Sequence, residues 1–183
     1  MTGNREGVPL EIERKFLIRM PDEETLRHES VKRIEISQLY LKLTSEAGSR
    51  RLRRSRWDGG QALYLTEKIH LTDRTRIERE REITPQEWDA LLPEADETRR
   101  LIEKTRWCVP SGAHTVEIDV FPFWNDRAFC EVELSTEDEP FTLPGWIDVI
   151  REVTEDSRYT NSALALEIPD EAIDGNVRAS ARR

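Results

Sequence analysis

Glu11, Glu13 and Lys15 stand two residues apart near the start of the chain, in the run Leu10-Glu11-Ile12-Glu13-Arg14-Lys15-Phe16-Leu17-Ile18. In an extended segment alternate side chains share a face. Two carboxylates and an ammonium therefore project together, while Ile12, Phe16 and Ile18 lie behind them and Arg14 is the odd member of that side. Carboxylate oxygens suit a hard divalent cation, and an ammonium suits a phosphate oxygen. Alone, such a strand is equally well read as a surface strand. Its weight comes from repetition.

The same spacing returns along the chain. Arg51 and Arg53 share one parity, and Tyr64, Thr66 and Lys68 share another, opposite Leu63 and Leu65. Glu78, Glu80 and Glu82 alternate against Ile77 and Ile83. Lys104 and Arg106 share a parity with Ile102. Glu117 and Asp119 oppose Val116, Ile118 and Val120, and Glu131 and Glu133 oppose Val132 and Leu134. Most of these runs carry two acids or two bases, whereas a merely solvated face usually mixes signs. The plain alternative is a soluble barrel with aliphatics inside and charges in water. Segregated signs argue for the inverse: charges inside, binding a metal and a polyphosphate.

The elements that would position these residues are legible as eight strand-like runs, over about 10–19, 34–43, 49–57, 62–70, 76–83, 101–109, 114–123 and 127–135. Asp58-Gly59-Gly60, Pro110-Ser111-Gly112 and Trp124-Asn125-Asp126 read as turns. Short helices are expected over 22–29, from Thr84 to about Leu92, over 144–151 and from Asn161 to about Glu167. Thr84-Pro85-Gln86-Glu87 has the residues of a capping box with proline at the first helical position. Eight strands in hairpin order predict an α+β fold: a closed eight-stranded antiparallel barrel with a charged interior, covered outside by helices carrying Trp88, Leu91, Leu92, Trp146, Ile147 and Ile150.

Length and composition bound the rest. The chain has 183 residues and suggests one domain over 10–168, with a loose lead-in over 1–9 and a polar tail over 169–183. Its net charge of −9 argues against double-stranded nucleic acid or an anionic membrane as the main partner. No apolar run is long enough for a membrane helix and no signal segment is evident, which points to a cytoplasmic protein. Cys108 and Cys130 have no metal-ligand spacing and read as free buried thiols.

Glu11-Ile12-Glu13-Arg14-Lys15 resembles the ExExK signature of the CYTH superfamily, the triphosphate tunnel metalloenzymes. The rest follows in that family's order: Arg51-Leu52-Arg53, Leu65-Thr66-Glu67-Lys68, the acidic run ending at Glu82, Lys104-Thr105-Arg106, Glu117-Ile118-Asp119, Glu131-Val132-Glu133, and Val153-Thr154 with Arg158-Tyr159-Thr160-Asn161. The resemblance covers about 10–168 and is greatest to compact bacterial members. It implies a divalent cofactor, Mg²⁺ or Mn²⁺, and a small triphosphate-bearing substrate for a monomer or homodimer.

Carried over by position, the resemblance implies a metal set of Glu11, Glu13, Asp119, Glu131 and Glu133. Lys15, Arg51, Arg53, Lys68, Lys104, Arg106 and Arg158 would grip phosphate. Glu11, Glu13 and Lys15 would act in catalysis, and Glu80 and Glu82 would form a further acidic pair, with Glu78 on the same parity. Glu117 is left between a solvated group and a supporting partner. The activity implied is hydrolysis of inorganic triphosphate. Adenylyl cyclase, thiamine triphosphatase and a non-catalytic polyphosphate sensor are the alternatives, and retention of both acids and bases favours an enzyme.

Overall fold

The computed structural model describes residues 12–43, 48–70 and 76–173, with the side chains of 68–70 and 76–78 outside the description. Glu11 and most of the expected tail therefore lie outside the described residues. The strands are β1 (Ile12–Arg19), β2 (Lys32–Leu41), β3 (Ser49–Trp57), β4 (Gly60–His70), β5 (Arg76–Glu82), β6 (Ile102–Ser111), β7 (His114–Val120), β8 (Arg127–Leu134) and β9 (Val149–Glu152). Helices α1 (Glu23–Glu29), α2 (Pro85–Leu91) and α3 (Asn161–Leu164) are short. All nine strands belong to one sheet in the order β5-β4-β3-β2-β6-β7-β8-β1-β9. Every neighbouring pair is antiparallel.

Two expectations are corrected. The sheet has nine strands rather than eight, and its end strands, β5 and β9, are not paired with each other among the described residues. The ninth strand arises from 144–151, expected as a helix. Pro144 opens only a turn, closed by Ile147 N–H donating to the Pro144 carbonyl at 3.0 Å. Val149 and Ile150, β-branched and beside the otherwise unpaired edge of β1, then take the strand conformation. Trp146, Ile147 and Val149 still pack on the apolar sheet face, so the covering survives without the helix. The hairpin tips depend on glycine at two places: Gly59 and Gly112 adopt φ of 82° and 62°, a left-handed conformation that is strained for other residues.

The apolar face carries Phe16, Ile18, Trp107, Val109, Val116, Ile118, Cys130 and Val132, packed beneath Leu26 of α1. A neighbouring patch of Leu41, Leu52, Leu65 and Ile83 lies under Trp88 and Leu91 of α2. That helix has the expected capping box between Thr84 and Glu87. The opposite face is apolar only at one end. There Leu17, Tyr40, Ile102 and Phe129 meet Phe121, Trp124, Tyr159 and Leu164 in a second buried cluster. Cys108 and Cys130 are both buried and free, as expected. Cys108 pairs with Glu117 and Cys130 with Ile118, which puts them on opposite faces of the sheet. No helix among the described residues is long and apolar enough to cross a membrane.

Candidate active site

Directly opposed residues in antiparallel strands project to the same side. Register alone therefore assembles one charged face. Glu13 opposes Glu133 and Lys15 opposes Glu131; Glu131 also opposes Glu117. Asp119 opposes Arg106, and Lys104 opposes Ile36. Gln38 opposes Arg53 and Tyr40 opposes Arg51. Arg53 and Arg51 oppose Tyr64 and Thr66, and Ser49 opposes Lys68. Finally Glu82, Glu80 and Glu78 oppose Tyr64, Thr66 and Lys68. The charges of seven strands, with β2 among them, thus lie on a single surface, closed off at one end by the aromatic cluster.

The side chains form a continuous network. Lys15 Nζ reaches Glu131 Oε1 at 2.9 Å and Glu13 Oε1 at 3.3 Å. The other Glu131 oxygen accepts from Arg106 Nη2 at 2.7 Å. Arg106 also donates to both oxygens of Asp119, from Nε and Nη2, each at 2.7 Å, and pairs with Glu117. Asp119 accepts in addition from Lys104. On the other half of the face Arg53 donates to Glu80 Oε1 at 2.6 Å, and Thr66 donates to the second Glu80 oxygen at 2.7 Å. The Arg53 guanidinium lies 4.9 Å from the Tyr64 ring centre.

Burial makes these pairings strong. Asp119 is 0% exposed, and Lys104 and Glu131 are each 5% exposed. Burial alone would push the Asp119 carboxyl up, but Lys104 and Arg106 outweigh it and hold it far below the usual carboxylate range. Burial likewise opposes charge on Lys15, yet Glu131 and Glu13 raise it overall. Glu13 is pushed above its usual range by burial and then by Glu131. Glu117 is raised mainly by burial, against the pull of Arg106. Burial thus disfavours the ionised form of two carboxyls on this face, although Lys15 and Arg106 lie against them.

Of the expected site residues, Glu13, Lys15, Arg51, Arg53, Lys104, Arg106, Asp119, Glu131 and Glu133 share the face, as do Glu80 and Glu82 by register. Lys68 shares it by backbone register, and Glu11 lies outside the described residues. Arg158 does not join them. It is largely exposed, donates from Nε and Nη2 to Asp156 at 2.9 and 2.7 Å, and lies over the Tyr159 ring. Asp119, expected as a metal ligand, accepts hydrogen bonds from Lys104 and Arg106 on its two oxygens. Glu117, left open by its sequence, is a partner of Arg106. Gln38 and Tyr40 also lie on this face; Ile34 and Ile36 share their parity and give it an apolar look in sequence, so only pairing with β3 and β6 reveals the face β2 serves. A cleft of about 610 Å³ beside Lys32, Glu35, Arg56 and Trp57 lies apart from this network.

An antiparallel sheet with bases and carboxylates interlocked on one face defines a protein built to hold a highly charged anion. The CYTH domain model matches residues 9–159, and the chain belongs to that family. It is 37% identical over 165 residues to an inorganic triphosphatase of Nitrosomonas europaea, covering 87% of this chain and 99% of that protein. The crystal structure of the inorganic triphosphatase NE1496 aligns over 87% of this chain and 97% of its own, with 33% identity and a TM-score of 0.56. The PH1819 protein of Pyrococcus horikoshii, 21% identical, shares the fold over 70% of this chain and 81% of its own, with a TM-score of 0.52.

Proposed function

We propose that this protein is a metal-dependent hydrolase of inorganic triphosphate, acting on a phosphoanhydride bond. The observation that carries the reading is the buried network in which Lys15, Lys104 and Arg106 interlock with Glu131 and Asp119 on one sheet face. Identity to the Nitrosomonas inorganic triphosphatase supports the choice of substrate. The catalytic unit on this reading is about 10–168, and the sheet curls around the substrate with its charged face inward.

Phosphoryl transfer depends on positioning and charge neutralisation more than on covalent chemistry. Lys15, Arg51, Arg53, Lys68, Lys104 and Arg106 hold the phosphate oxygens. Glu11, Glu13, Glu131 and Glu133 supply hard oxygen donors suited to Mg²⁺ or Mn²⁺. The raised carboxyls of Glu13 and Glu117 fit a cation close by. Among the described residues no three acidic groups are placed to hold a metal ion; Lys15 and Arg106 hold Glu131 until substrate phosphates compete for those bases. A bound divalent ion supplies charge neutralisation and lowers the pKa of water. Glu11 or Glu13 orients and deprotonates the attacking water. Asp119 is assigned to positioning Lys104 and Arg106, and Arg158 is left out of the phosphate set.

Phosphate release is the test, measured side by side on inorganic triphosphate, thiamine triphosphate and ATP with Mg²⁺ and with Mn²⁺, while cyclic AMP is assayed. Preferential release from inorganic triphosphate is expected. Cyclic AMP as the main product would overturn the proposal, as would tight binding with no turnover of any substrate.

A further inference from the structure

We infer that Gln38 is a phosphate-binding residue, whose side-chain amide donates a hydrogen bond to an oxygen of the phosphate chain where that chain crosses β2. The inference rests on the triphosphate reading above and extends it to a neutral group that the charge pattern does not mark.

The argument begins with strand order. β2 lies between β3 and β6. On the charged face β3 presents Arg51 and Arg53, and β6 presents Lys104 and Arg106. Adjacent strands are about 4.7–4.9 Å apart, so the two basic strands are separated by about 10 Å with β2 between them. Between those basic sets β2 presents neutral side chains to this face, Ile34, Ile36, Gln38 and Tyr40; its one charge of that parity, Lys32, stands at the far end opposite Cys108. An anion held by both basic sets must pass over that strand. Gln38 directly opposes Arg53 on one side and Ile102 on the other, and Lys104 is its diagonal neighbour. Tyr40, the next residue on the same face, belongs to the aromatic cluster. Gln38 is therefore the last residue of β2 on this face before the apolar end begins at Tyr40.

The second observation is chemical. Gln38 is 2% exposed, and its Nε2 has no hydrogen-bond partner among the described residues. Buried amide donors are almost always satisfied, and leaving one unpaired is costly in the unliganded protein. A glutamine kept in that condition beside two sets of phosphate-gripping bases points to a ligand that supplies the acceptor. A neutral donor also adds a directed hydrogen bond without adding charge to a face already dense in guanidinium groups.

Calorimetric titration of the full chain with inorganic triphosphate, without metal, tests this against Gln38→Met, Gln38→Glu and Lys104→Met, with thermal melting run in parallel. Gln38→Met has nearly the same shape and no donor. It should bind triphosphate about ten-fold more weakly, the loss of one hydrogen bond to a charged group. Its unliganded form should melt no lower than the wild type, because it removes an unsatisfied donor. Gln38→Glu keeps the side-chain length, remains testable if the methionine variant fails to fold, and should bind more weakly still. Wild-type affinity in either Gln38 variant, with affinity lost in Lys104→Met, would overturn this inference alone. Absence of triphosphate binding by the wild type would overturn it together with the substrate reading.

Discussion

Asp119 lies directly across the β6–β7 pairing from Arg106 and holds its guanidinium with both carboxylate oxygens at 2.7 Å. Lys104 occupies the same carboxylate from the neighbouring position on its own strand. One buried acid therefore fixes two bases. Asp119→Asn removes that anchor, takes the paired carboxylate from buried Lys104 and leaves Arg106 with Glu117 and Glu131. It should lower unfolding stability by about 3–5 kcal/mol, read by urea denaturation. Turnover should fall through misplaced bases, while the metal concentration for half-activation stays unchanged. A rise in that concentration would return Asp119 to the metal ligands. Because its folded pKa is depressed, its stabilising contribution is fully present above the ordinary aspartate range and is lost only in strongly acid solution.

Glu131 accepts from Lys15 on one side and from Arg106 on the other. The pairing suits a group that exchanges partners when phosphates engage the bases. In Glu131→Gln, metal-dependent turnover should be lost while metal-free triphosphate binding persists, since the amide relieves competition for Lys15 and Arg106. Lys15→Met should act in the opposite sense, weakening triphosphate affinity and raising KM. Equal effects of both changes on binding and turnover, measured by calorimetry and phosphate release, would sink this division of roles.

The contrast between legible and illegible parts of the chain is physical. Alternation is a local property, so the acids of β7 and β8 and the bases of β3 and β6 could be read from spacing alone. Pairing is not local. Nothing in 32–41 says that Gln38 opposes Arg53, and its isoleucines invite the opposite facing. The segment 144–151 has apolar residues that suit a helix or a strand, and the free edge of β1 decides between them. Arg158 has the sequence context of a closing cation, yet Asp156 lies two residues away and captures it. Asp119 shows the reverse limit: its parity is evident, but its pairing with both Lys104 and Arg106 is not.

Asp156 organises the segment that follows β9. It accepts from the Arg158 backbone N–H at the start of the Ser157–Tyr159 turn, and it pairs with the Arg158 and Arg151 side chains. These donors, led by Arg158, bring its pKa from 3.8 down to about 2. The sign follows directly. A depressed acid stabilises the folded state above its unfolded pKa, and that contribution disappears as pH falls through the folded value. Asp156→Asn should thus melt lower than the wild type at pH 5, with the gap closing between about pH 4 and pH 2. A gap that stays constant across this range, in melting curves of the two proteins, would mean that Asp156 acts through packing alone. The partners are partly solvated, so the gap should also narrow with added salt.

Phe129 joins the apolar end of the charged face to its chemistry. It is fully buried, with rings at 5.3 Å from Phe121, 5.2 Å from Trp124 and 6.0 Å from Tyr159, all in edge-on arrangements. On the other side Lys15 Nζ lies 5.2 Å from its ring centre. Two substitutions separate these roles. Phe129→Ala leaves a cavity among the aromatics and should cost about 3–5 kcal/mol of stability in urea. Phe129→Leu retains much of the volume but lacks the ring face that attracts an ammonium, an interaction of about 0.5–2 kcal/mol. Its stability should fall less, while KM for triphosphate rises about two- to ten-fold as Lys15 loses its positioning. A leucine variant with wild-type KM would reduce Phe129 to packing and leave Glu131 and Glu13 as the groups that place Lys15.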